Sequence, residues 1–160
     1  MNVIVMRKGL VEELTFEELK NTLVISTSSD GPIKFQGEEK NVIRFDFDDI
    51  EKNEEGKWFT EEDAKNIVAF LNSHDLKKVD KIICSCDGGV SRSSAMAAAL
   101  SLYFNGNDWN IWGNAQYVPN STVYRTLLNV LFEGKSAFEE EISEKEEHNI
   151  KIWRKAQDID

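Results

Sequence analysis

The stretch KIICSCDGGVSRSSAMAAALSLYF, Lys81 to Phe104, decides how the chain is read. Lys81–Ser85 is a short apolar run of the kind found in a strand buried on both faces. Asp87–Val90, with paired glycines, is a turn. Ser91 or Arg92 opens a helix that runs to Phe104, and Asn105–Gly106 closes it. The turn therefore lies at the C-terminal edge of a sheet, facing a helix N-terminus. Unpaired N–H groups and the helix dipole make such a place attractive to anions. Gly88 and Gly89 let successive amides converge into a nest. Arg92 adds a permanently charged planar fork. Together they form a socket for a tetrahedral dianion. Cys86 stands at its floor, where the same amides favour a thiolate nucleophile.

Working outward, strands alternate with helices. Val3–Met6, Leu23–Ser26 and Val42–Phe47 read as strands, and Thr27–Pro32 is a turn. Thr15 and Thr60 each begin a helix: Glu18 completes a capping box with Thr15, and acids follow Thr60. Ser121–Phe132 is amphipathic. Glu139–Ile152 reads either as a terminal helix that touches the body through Ile142, Ile150 and Trp153 or as a frayed end. This pattern predicts an α/β class, a central mostly parallel sheet flanked by helices in three layers. The 160 residues suit a single domain over 1–160, with 133–160 as a C-terminal helical extension.

The formal net charge of −10 argues against a nucleic-acid or anionic-membrane surface. Any anion site must then be local. No apolar run is long enough to span a membrane, and the N-terminal MNVIVMRKGL reads as a strand rather than a signal peptide. Cys84 and Cys86 share a strand face with Cα atoms near the upper limit for a disulfide. No structural disulfide is expected, and the expected compartment is the cytoplasm. These cysteines with the distant His74 and His148 make no zinc site.

Cys86–Asp87–Gly88–Gly89–Val90–Ser91–Arg92–Ser93 fits C-x-x-G-x-x-R-[ST], and the chain resembles the cysteine-dependent protein tyrosine phosphatases, in particular small microbial dual-specificity members. SRSSAMAAALSLYFNG (91–106), PNSTVYRTLL (119–128), TLVISTSSDGP (22–32) and FDDI (47–50) look like the corresponding segments of that superfamily. The resemblance spans most of residues 1–132. It implies that Cys86 attacks phosphorus to form a phosphocysteine. Arg92 would clamp the phosphate, with the backbone of Asp87, Gly88, Gly89, Val90, Ser91 and Arg92 as cradle. Ser93 would hydrogen-bond the sulfur. The resemblance implies that no metal and no cofactor is required. It also implies a general acid on an upstream loop. The candidates are Asp49 first, Asp48 second and Asp46 third, about forty residues before the cysteine. Where the family carries histidine before the cysteine, this chain has Ser85, which predicts an altered pH dependence. The implied substrate is a phosphorylated protein or a small phosphomonoester. Two other readings fit the same loop. One is a non-catalytic phosphate- or phosphopeptide-binding module. The other is a sulfurtransferase or arsenate-reductase-like enzyme, with Cys84 as partner thiol. Oligomeric state is left open.

Overall fold

The computed structural model describes residues 1–134 and 139–157. In chain order the elements are β1 (Asn2–Arg7), α1 (Lys8–Glu12), β2 (Thr22–Thr27), β3 (Val42–Phe45), α2 (Glu61–Asn72), β4 (Lys81–Cys86), α3 (Arg92–Asn105), α4 (Trp109–Trp112), α5 (Ser121–Leu131) and α6 (Glu139–Gln157). Of the extension predicted over 133–160, residues 135–138 and 158–160 lie outside the described residues. Among the described residues no helix is long and apolar enough to cross a membrane.

The sheet is parallel throughout, in the order β1-β4-β2-β3. The chain steps outward from β2 to β3, and α2 then carries it back to insert β4 between β1 and β2. Such a reversal opens a crevice at the C-terminal ends of the strands. The continuous apolar run of β4 suits this central place, and Ile82 through Cys86 are all buried.

Alternation along the strands splits the core. Leu23, Ile25, Ile82 and Cys84 face α2, α3 and α5, while Val24, Val42 and Ile83 face Val11 of α1 and the irregular chain around Leu19 and Ile33. The first ten residues of α3 are all buried, because this helix lies between the sheet and α5. Ala95, Ala97, Ala98 and Ala99 are fully covered, and their small side chains allow that close approach. Gly106 ends α3 in the left-handed conformation (φ 73°), donating its N–H to Leu102 O at 2.9 Å.

Three expectations change. The Thr15–Glu18 capping box forms, with Glu18 accepting from Thr15 N at 3.1 Å and Thr15 Oγ1 from Glu18 N at 3.2 Å. No helix follows, because Asn21 at φ 56° turns the chain into β2 before a second turn can form. Strand β3 stops at Phe45, opposite the last residue of its sole neighbour, Thr27. Phe47 lies beyond the ladder, and its carbonyl serves the site instead. On α6, Ile142 is buried, but Ile150 and Trp153 stay 43% and 40% exposed.

Candidate active site

Because every strand ends at the same edge, the residues after β1, β2, β3 and β4 meet there. Cys86 closes β4 beside Arg7 of β1 and is 2% exposed. Its Sγ shares a 3.0 Å hydrogen bond with Ser93 Oγ in the first turn of α3. Cys84 faces the same side but is wholly covered; burial, reinforced by the neighbouring Cys86, pushes its thiol far up. Cys84 is thus a protonated core side chain at neutral pH. Both cysteines are free.

The turn after Cys86 is shaped by Gly89. Its φ is 68°, and a Cβ there would lie 3.0 Å from Arg7 N and 3.1 Å from Arg7 Cβ. Only glycine fits. Gly88 has ordinary backbone angles and open space around it, so one glycine, not two, is required. Among the described residues the main-chain N–H groups of Asp87 to Arg92 have no hydrogen-bond partner. They sit at the N-terminus of a 14-residue helix, whose dipole favours an anion. Ser91 occupies the N-cap position without capping; its hydroxyl donates to Asp49 Oδ1 at 2.8 Å.

Arg92 is 8% exposed. Its Nη1 donates to Ser29 Oγ at 2.9 Å and to Phe47 O at 3.0 Å, and its Nη2 to Asp87 Oδ2 at 3.2 Å. A guanidinium has five N–H donors. Nε–H and the second Nη2 hydrogen have no partner among the described residues. These two donors remain for an oxyanion such as phosphate.

Asp87 sits within this cradle. Its Oδ1 accepts from Ser28 Oγ at 2.6 Å, and its Oδ2 accepts from Ser29 N at 2.9 Å as well as from Arg92. Burial raises its carboxyl, but these hydrogen bonds and the Arg92 charge outweigh burial and hold it below the ordinary carboxylate value.

The three upstream aspartates part company. Asp46 is exposed and paired with Lys57, whose hydrogen bond holds its carboxyl low. Asp48 has both oxygens engaged, Oδ1 by Ser29 Oγ at 3.2 Å and Oδ2 by Lys57 N at 3.1 Å. Asp49 Oδ1 accepts from Ser91 Oγ and from Asn120 Nδ2 at 2.9 Å, while its Oδ2 has no partner among the described residues. Of the three, Asp49 alone bonds directly to the turn.

No family model matches the chain, and no curated protein does. Among solved structures, the crystal structure of PTPMT1 in complex with PI(5)P matches with a TM-score of 0.50 at 15% identity, covering 82% of this chain and 91% of that one. A second crystal structure of PTPMT1 matches with a TM-score of 0.46 at 14% identity, covering 98% of this chain and 94% of that one. The chain shares the fold of the PI(5)P-bound structure. The resemblance read from the sequence therefore holds at the level of fold.

Several side chains at the site lay beyond sequence reasoning. Asn120 caps α5 through Val123 N at 3.0 Å, holds Asp49, and donates its own N–H to Ser91 O at 3.1 Å. Its place before a helix marks it as a cap; nothing in the spacing marks its second role. Ser28 and Ser29 read only as turn residues, yet they hold Asp87 and Arg92. Ser85 points away from Cys86, as successive strand residues must. A pocket of about 350 Å³ around Phe16, Leu19, Leu23, His74 and Val79 lies at the opposite edge of the sheet.

Proposed function

We propose that this chain is a cysteine-dependent phosphoric monoester hydrolase of the protein tyrosine or dual-specificity type. The observation that carries the reading is Arg92, buried and anchored with two donors unpaired, at the end of a turn of unpaired amides that follows Cys86.

A phosphate monoester seated there has its phosphorus above Cys86 Sγ. The sulfur lone pair forms the S–P bond, and the P–O bond to the leaving group breaks. The leaving oxygen takes a proton from Asp49. Arg92 and the amides hold the equatorial oxygens, where charge gathers in the transition state. A water then attacks phosphorus and gives its proton to the Asp49 carboxylate. The S–P bond breaks, phosphate leaves, and Ser93 stabilises the departing thiolate. Ester and water become alcohol and phosphate. Asp49 is preferred over Asp48 because it touches the turn and keeps Oδ2 unengaged.

The substrate is a phosphorylated protein or a small phosphomonoester in the cytoplasm. PTPMT1 was crystallised with PI(5)P, which makes phosphoinositides natural members of a first substrate panel.

The test is hydrolysis of p-nitrophenyl phosphate across pH by wild type, Cys86→Ser, Asp48→Asn and Asp49→Asn. Wild type turns over, Cys86→Ser does not, and Asp49→Asn loses the basic limb of the profile while Asp48→Asn retains it. A folded wild type that hydrolyses no aryl phosphate, yet melts at a higher temperature with vanadate, would be a phosphate-binding module instead.

A further inference from the structure

An anion in the wall of an anion cradle is adverse on electrostatic grounds alone. Asp87 is such an anion, in a chain already at −10. Its contacts show what it does there. The guanidinium of Arg92 is held by Ser29 Oγ and Phe47 O at one nitrogen, Nη1. A planar fork fastened at a single nitrogen can pivot about it. The Asp87 contact at Nη2 is the second fastening. Two fastened nitrogens set the plane, and Nε–H and one Nη2 hydrogen stay unpaired among the described residues. The carboxylate is itself braced. Ser29 ties to both partners, donating its N–H to Asp87 while its Oγ accepts from Arg92. Ser28 Oγ donates to Asp87 Oδ1 and receives Lys8 Nζ at 3.2 Å. Lys8 is fixed in turn on Asp30 O and Gly31 O, each at 2.9 Å.

We propose that the Asp87 side chain is a positioning residue that orients the Arg92 guanidinium for two-oxygen capture of phosphate. This rests on the phosphatase reading of the same site. The Asp87 side chain makes no hydrogen bond to the nucleophile; it acts through Arg92.

The two effects of Asp87 have opposite sign, and this makes the inference testable. If it acts only as a local charge, removing it tightens anion binding. If it positions Arg92, removing it weakens binding. Orthovanadate binding to the full chain by titration calorimetry decides between them. Asp87→Ala is expected to weaken binding by about tenfold or more, the cost of losing a hydrogen bond to a charged group. Asp87→Asn keeps an oxygen for Ser29 N–H and Arg92 and can turn its amide to Ser28 Oγ, so it restores most of the affinity. In an Arg92→Lys background, which has no fork to orient, Asp87→Ala changes binding by less than about twofold. Asp87→Ser, too short to reach Arg92, carries the same expectation as alanine and replaces it if the alanine variant does not fold. Binding by Asp87→Ala equal to or tighter than wild type overturns the inference. So does a loss of affinity that persists undiminished beside Arg92→Lys. If wild type binds no vanadate and hydrolyses no aryl phosphate, the phosphate site itself fails, and the inference with it.

Discussion

Ser85 and Cys86 are neighbours in one strand with opposite surroundings. Cys86 looks toward α3 and the cradle; Ser85 looks toward α1, where its hydroxyl is buried without a partner among the described residues. Its register partner on β2, Ser26, is in the same condition. A buried, unpaired hydroxyl costs about 1–3 kcal/mol. Ser85→Ala is therefore expected to stabilise the chain by about 1 kcal/mol in urea unfolding, with aryl-phosphate turnover unchanged. A fall in turnover would mean that the residue before the cysteine reaches the sulfur after all. The motif alone locates Cys86, Arg92 and Ser93, because a strand, a tight turn and a helix N-terminus are all local structures. The motif does not reveal that Asp87 bonds Arg92, since that contact depends on the Ser28–Ser29 turn 58 and more residues upstream.

At the scale of elements, Asn120 joins three pieces of chain: the start of α5, the loop carrying Asp49 and Ile50, and the turn after Cys86. Asn120→Ala removes a cap worth about 1 kcal/mol. It also frees the Asp49 loop, and misplacing a catalytic group by about 1 Å can cost about a hundredfold in rate. The expected outcome is a stability loss of about 1 kcal/mol in urea with a tenfold or greater fall in kcat. Steady-state kinetics read beside the unfolding curve would separate the two. Loss of stability with kcat intact would reduce Asn120 to a cap. Capping boxes show where local sequence suffices. At Thr60 the reciprocal bonds with Asp63 start a 12-residue helix. At Thr15 the same bonds form and no helix follows, because Asn21 reverses the chain six residues on.

For the molecule as a whole, the C-terminal helix is held by a buried charge. Lys145 forms an ion pair with Asp108 at 2.8 Å, their side chains 7% and 1% exposed, and Tyr124 bonds the same carboxylate. Burial, then the Asp108 contact, pushes the Tyr124 phenol far up, so it remains a donor. Asn149 adds bonds to Trp112 O at 3.2 Å and Tyr117 O at 2.8 Å. Lys145→Met strands Asp108 as a buried, uncompensated charge. It is expected to cost about 3–5 kcal/mol, measured by urea unfolding. A loss under about 1 kcal/mol would show the pair to be solvated. Neither the acidic run of α6 nor the Gly- and Asn-rich segment before α5 hints at this partnership.

The sequence by itself determined the strand–turn–helix around Cys86, the alternating α/β order and the family likeness, because hydrophobic period, glycine and capping chemistry act over a few residues. It also offered three aspartates for the proposed acid. Only the tertiary structure decided the rest. Inserting β4 between β1 and β2 brought Ser28, Ser29, Phe47, Asp49 and Asn120 to one edge. Their hydrogen bonds, not their spacing, separate Asp49 from Asp46 and Asp48, and they anchor Arg92. Such contacts link residues tens of positions apart, and their geometry exists only once the sheet has formed.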